Sequence, residues 1–137
     1  MARKELTASQ RILIVDDEES TRLLLASILS NDLKAEVQLA GTSVQAQRLA
    51  ESQVYDAIVL DLMIPGMDGF ALLEHIRSAT PNATTPVVVV SVLSDDASEQ
   101  RARGLGANAY HVKPVRRAEL VATVKAQLAA RAKSQPR

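Results

Sequence analysis

The stretch VLDLMIPGMDGF, residues 59–70, decides how the rest of the chain is read. The apolar run Ala57-Ile58-Val59-Leu60 stops at an acid, Asp61, and the chain then turns through Pro65, Gly66 and Gly69. A carboxylate at the end of a strand buried on both faces is costly unless something there needs it. The remaining sequence indicates what that is.

Working outward, short apolar runs alternate with longer segments of helical pattern. The runs are RILIV (11–15), AEVQLA (35–40), YDAIVL (55–60), PVVVVS (86–91) and NAYHV (108–112). Between and after them lie ESTRLLLASILS, TSVQAQRLAES, GFALLEHIRSA, DDASEQRARGLG and VRRAELVATVKAQLAARA. Leu24, Leu25, Ile28 and Leu29 recur at helical spacing, as do Leu120, Val121, Val124 and Leu128. Thr42 and Gln45 have the spacing of a capping box, and Gly104 and Gly106 suit a helix end. Strands alternating with helices argue for βα repeats, that is, an α/β fold with a five-stranded parallel sheet and helices on both faces. Ile12–Val15, Ala57–Leu60 and Val87–Val90 are continuously apolar, as doubly buried strands should be. AEVQLA sets Glu36 and Gln38 against Val37 and Leu39 and reads as an edge strand. The helix near 95–105 has only Ala97, Ala102 and Leu105 as an apolar face, so it should pack lightly.

Bulk properties narrow the function classes. The 137 residues fit one domain, and 47% hydrophobic residues supply a core that 2% aromatics make aliphatic. Lys plus Arg equals Asp plus Glu, 16 each, so no global field points to nucleic acid or membrane. Cysteine is absent, which removes disulfides and thiolate chemistry. No apolar run has the length of a membrane span, and the basic start MARKELTASQR has no signal-peptide core, so a cytoplasmic protein is expected.

Each buried strand ends in a polar group. Val15 precedes Asp16 and Asp17, Leu60 precedes Asp61, Val90 precedes Ser91, and Val112 precedes Lys113 and Pro114. In a parallel sheet these ends share one edge, and ligands bind there where strand order reverses. Three clustered carboxylates repel, and Mg²⁺ bound through one or two carboxylates, waters and phosphate oxygens would resolve that. An acidic metal site, the Lys113 ammonium, the Ser91 hydroxyl and a free Asp61 oxygen are the parts needed for phosphoryl transfer onto Asp61.

The segments ILIVDDEE, VLDLMIPGMDGF, VVVVS and GANAYHVKP, in that order and spacing, resemble the receiver domain of bacterial response regulators over about residues 11–131. The resemblance implies a flavodoxin-like (βα)5 sandwich with strand order 2-1-3-4-5. It implies that Asp61 is the phosphoacceptor, and that Asp17 ligates Mg²⁺ directly and Asp16 through water. The Met63 carbonyl would be a further ligand. Lys113 would pair with the phosphoryl group, Ser91 would hydrogen-bond it, and Tyr110 would be the switch aromatic. Pro114 would follow a cis bond. The expected partners are a sensor histidine kinase or phosphotransfer protein, and a downstream protein or output domain. The sequence departs from the family at Ser91 for Thr, Val92 for Ala or Gly, and Val115 for Phe; none removes a catalytic part. Residues 1–10 read as an N-terminal extension and 132–137 as a disordered tail.

Blander readings exist for each residue. Asp16 to Glu19 could be an acidic first helical turn, Lys113 a surface lysine and Tyr110 a packing residue. The matching strand ends weigh against all three together. His75 and His111 lack partners at metal-ligand spacing and read as structural. Two other function classes stand beside this one: a phosphorylation-independent interaction module, and a hydrolase of the haloacid dehalogenase type. The latter needs an acid two residues after the nucleophile, where Met63 stands. The expectation is a signalling domain that catalyses only its own phosphorylation and dephosphorylation.

Overall fold

A computed structural model describes residues 9–134. The elements are β1 (Arg11–Val15), α1 (Glu19–Leu33), β2 (Glu36–Ala40), α2 (Ser43–Ser52), β3 (Ala57–Leu60), α3 (Gly69–Ala79), β4 (Val87–Ser91), α4 (Asp96–Gly104), β5 (Ala109–Val112) and α5 (Arg117–Ser134). The strands form one parallel sheet in the order β2-β1-β3-β4-β5, the flavodoxin-like order that the resemblance implied. No helix among the described residues is long and apolar enough to cross a membrane.

The period of two along the inner strands divides the core. Ile12, Ile14, Ala57, Val59, Val88 and Val90 face one side, where α1 and α5 lay Leu25, Ile28, Leu29, Leu120, Val124 and Leu128 on them. Leu13, Val15, Ile58, Leu60, Val87 and Val89 face the other, against Leu72, Leu73 and Ile76 of α3, Ala46 and Ala50 of α2, and Ala102 of α4. Complete burial of each Val, Leu or Ile contributes about 1.5–3 kcal/mol, so the sandwich is held chiefly by aliphatic contact on both faces. Strand β2 lies at the edge as its alternation predicted, with Glu36 exposed and Val37, Gln38 and Leu39 half-buried. Helix α4 buries only Ala102, which bears out its light packing.

Local chemistry sets the helix starts. Thr42 Oγ1 accepts the Gln45 N–H at 3.2 Å, while Gln45 Oε1 accepts the N–H of Gly41 rather than that of the cap residue. Asp68 caps α3 through the Ala71 N–H at 2.8 Å, and Asp95 caps α4 through Ser98. Helix α5 continues to Ser134, so residues 132–134 of the expected disordered tail are helical, and 135–137 lie outside the described residues. Alanines are strong helix formers, and Arg131 and Lys133 favour the negative end of the helix dipole. Of the expected N-terminal extension, residues 1–8 lie outside the described residues.

Two polar anchors join the elements below the sheet edge. Asn82 is fully buried and accepts from the Tyr55 N–H at 2.8 Å while donating to the Ala50 and Gln53 carbonyls. Arg77, at the end of α3, donates to the carbonyls of Asn82, Thr85 and Gly106 and to Asn108 Oδ1. Burial holds its guanidinium pKa below the usual arginine value. It thereby binds the loop before β4 to the loop after α4, where Gly106 takes φ +110° and a Cβ would meet Arg77 Nε at 2.7 Å.

Candidate functional site

Adjacency of β1 and β3, with Val15 opposite Leu60, brings the residues after both strands together. The Asp61 N–H donates to the Val15 carbonyl at 2.9 Å, and the Asp16 N–H donates to the Ala40 carbonyl at 3.1 Å. Asp16 and Asp61 are 1% and 4% exposed, whereas Asp17 faces solvent. Each of the three carboxylates offers an oxygen lying within 4.8 Å of the others.

The two buried acids are not left unpaired. Lys113 Nζ lies 2.7 Å from Asp16 Oδ2 and 2.9 Å from Asp61 Oδ2. Asp16 Oδ1 accepts the Glu18 N–H at 2.9 Å, and Asp61 Oδ1 accepts the Met63 N–H at 3.0 Å. Burial alone would lower the lysine pKa; the hydrogen bonds and attraction to Asp16 and Asp61 outweigh it and raise the pKa above the ordinary value. Lys113 and Pro114 are joined by a cis peptide bond, as the resemblance implied. The sequence suggested mutual repulsion of three acids; the fold brings its own cation to two of them.

Ser91 closes β4 and is fully buried, its Oγ accepting the Leu93 N–H at 3.3 Å. The Ser91 carbonyl accepts the Lys113 N–H at 2.8 Å, which sets the lysine beside it. Tyr110 is half-buried in β5 and its hydroxyl donates to the Leu93 carbonyl at 2.7 Å. Burial first, then the charges of Asp95, Glu99 and Asp61, push the phenol pKa up. Met63 is exposed in the loop after β3.

That loop is fastened at both ends. Ser43, at the start of α2, accepts the Met67 N–H on its Oγ at 2.7 Å and donates its own N–H to the Pro65 carbonyl at 3.3 Å. Gly66 takes φ +96° between them, and a Cβ there would stand 2.2 Å from Ser43 Oγ. The Gly69 N–H closes the loop on the Leu62 carbonyl at 2.9 Å. Sequence reasoning singled out neither Ser43 nor Arg22, whose Nη1 donates to the Asp16 carbonyl at 2.7 Å. Their partners are distant in sequence or on the main chain, so no spacing signal marks them. His75 pairs with Glu51 at 2.8 Å, and His111 with Thr123 at 2.8 Å; both are remote from the acids in their contacts.

A doubly wound sheet with an acid cluster and a lysine at its switch point defines a class of phosphoryl-accepting signalling domain. The chain belongs to the response regulator receiver domain family, whose family model matches residues 12–125. It is 37% identical over 118 residues to the transcriptional activator protein IrlR of Burkholderia pseudomallei, covering 86% of this chain and 50% of that protein. It is similar in structure to a CheY-like response regulator receiver domain protein from Methanospirillum hungatei JF-1. There the TM-score is 0.87 and the identity 26%, over 93% of this chain and all (100%) of the other. It is also similar to the receiver domain of a sensor histidine kinase from Pseudomonas aeruginosa PAO1, solved with a magnesium ion coordinated in its active-site cleft. That match has a TM-score of 0.79 and 29% identity, over 89% of this chain and 99% of the other. The chain spans about half the length of the curated relatives it matches, 47% of one and 50% of another.

Proposed function

We propose that Asp61 accepts a phosphoryl group from the phosphohistidine of a sensor histidine kinase or phosphotransfer protein. The observation that carries this is the Asp61 carboxylate, buried at the end of β3, held by Lys113 and within 4.8 Å of Asp16 and Asp17 oxygens. An Asp61 oxygen attacks phosphorus, the new O–P bond forms as the N–P bond breaks, and the electron pair returns to the imidazole nitrogen. Lys113 Nζ, already 2.9 Å from Asp61 Oδ2, neutralises charge on the transferring oxygens, and the Ser91 hydroxyl turns from Leu93 to donate to one of them.

The donor set fits Mg²⁺: hard oxygen ligands, two of them buried and one open to solvent. Asp17 would bind the ion directly, Asp16 through water, and Asp61 and the Met63 carbonyl would complete the protein ligands. Bound there, the ion would neutralise the acids and offset charge on the transferring phosphoryl group. Incubation with Mg²⁺ and a small phosphodonor should add one phosphoryl group by intact mass, and Asp61→Asn should take up none. Equal uptake by the variant would remove Asp61 from the role. An interaction module independent of phosphorylation would leave both proteins unmodified.

The output is a shift between two surface states, for which a gap of a few kcal/mol suffices. Recruitment of the Ser91 hydroxyl inward frees space for Tyr110, whose hold on the Leu93 carbonyl ties strand β5 to the loop before α4. Amide NMR shifts caused by the phosphate mimic beryllofluoride should spread over residues 91–113. Shifts confined to Asp16, Asp17, Asp61 and their neighbours would rule out this route. The reader of the altered surface is a protein partner or an output domain in the same polypeptide.

A further inference from the structure

We infer that Arg22 is a positioning residue for cation binding, acting through the Asp16 main chain to present Asp17. The inference rests on the reading of the acids as a Mg²⁺ site. Arg22 lies in the first turns of α1, and its Nη1 donates to the Asp16 carbonyl oxygen at 2.7 Å. That carbonyl and the Asp17 N–H belong to one rigid peptide plane. Asp16 is otherwise held by its N–H on the Ala40 carbonyl and by its carboxylate on Glu18 N–H and Lys113. The Arg22 bond is the contact that fixes the plane on the Asp17 side. Asp17 needs such help, because it is exposed and, among the described residues, no hydrogen bond restrains its carboxylate.

The guanidinium reaches the carbonyl across Gly41, in the loop after β2. A Cβ at Gly41 would lie 2.9 Å from Arg22 Nη1 and 3.3 Å from Cζ. Glycine at 41 therefore leaves the space the guanidinium occupies. Among the described residues Arg22 pairs with no carboxylate, so its charge is not spent on an ion pair.

Charge and position act in opposite directions here, which separates them. Removing a positive charge beside a cation site strengthens cation binding by Coulomb's law. Loosening the support of a ligand weakens it, typically tenfold or more. Binding of MgCl₂ alone to the full chain, followed by titration calorimetry, distinguishes the two. Arg22→Ala should weaken Mg²⁺ binding about tenfold, at the low end for a residue supporting a metal ligand. Gly41→Ala keeps the charge and displaces only the end of a flexible side chain, so the fold tolerates it; it should weaken binding in the same direction. The double variant should bind no more weakly than Arg22→Ala, since both changes remove one contact. Mg²⁺ binding by Arg22→Ala at or above the wild-type affinity overturns the inference, as does additivity of the two single effects. If wild type binds no Mg²⁺ while Arg22→Ala matches it, the reading of the acids as a metal site fails, and the role of Arg22 with it.

Discussion

Lys113→Ala is expected to lose about 3 kcal/mol of stability at neutral pH in metal-free buffer, the low end of the cost of breaking a buried ion pair. The low end applies because the Lys113 side chain keeps 17% of its surface exposed, whereas the side chains of its partners Asp16 and Asp61 keep 1% and 5%. Without the ammonium these two carboxylates face each other with no counter-charge. Mg²⁺ should therefore restore most of the lost stability in the variant, and do far less for wild type. In wild type the pH dependence of the bridge runs on the alkaline side. The raised lysine pKa means that its stabilising contribution is complete below the ordinary lysine value and is lost as pH rises through the folded one. Urea unfolding with chelator and with Mg²⁺ measures all of this. Coincident urea midpoints for variant and wild type in chelator would show that the bridge adds nothing to the folded state. Phosphoryl uptake by Lys113→Ala should be abolished whatever its stability.

Gly69→Ala carries the next largest expected effect. An added Cβ would stand 2.3 Å from Leu62 Cα, 2.6 Å from its oxygen and 2.7 Å from its carbonyl carbon. All three are main-chain atoms, so no side chain can swing aside. Overpacking of this kind costs about 3 kcal/mol. The displaced segment carries Asp61 and Met63 at its start, so phosphoryl uptake should fall as well. Gly104→Ala is the matched control. Nothing lies within 4 Å of a Cβ at Gly104, which ends α4, and alanine there should be neutral or stabilising by about 0.5 kcal/mol. If Gly69→Ala unfolds at the same urea concentration as Gly104→Ala, the contact between the start of α3 and Leu62 is looser than its geometry implies.

Elements written in local pattern were legible in the sequence. Val87 to Val90 can be buried on both faces only in a central strand, and the alternation of β2 marked it as an edge. Asp61 and Lys113 stood out because a charge directly after an apolar run must be used or hidden. Their direct contact did not stand out, since 52 residues separate them and only strand order sets that distance. Asn82 illustrates the same limit from the other side. It looks like an ordinary turn residue after Pro81, yet it is fully buried and joins the Tyr55 N–H to the Ala50 and Gln53 carbonyls. Tertiary hydrogen bonds to main-chain atoms leave no period or spacing to read. The end of α5 is ambiguous in the sequence: its polar, basic composition suggests solvation, while alanine content and the helix dipole favour continuation to Ser134.

The grip of Arg77 on Gly106 and Asn108 makes α4 a lever with its fulcrum at the C-terminal end. Beyond that pivot the helix buries only Ala102, and its far end is tied through the Tyr110 bond to Leu93. A disturbance at Ser91 or Leu93 is therefore expected to act on the long arm. Displacement should grow along α4 from a still point near Gly106 to its largest value at Asp95 and Asp96. A sub-ångström change in the hold on one hydroxyl would then reach the exposed tip carrying those two acids and die away toward Gly106.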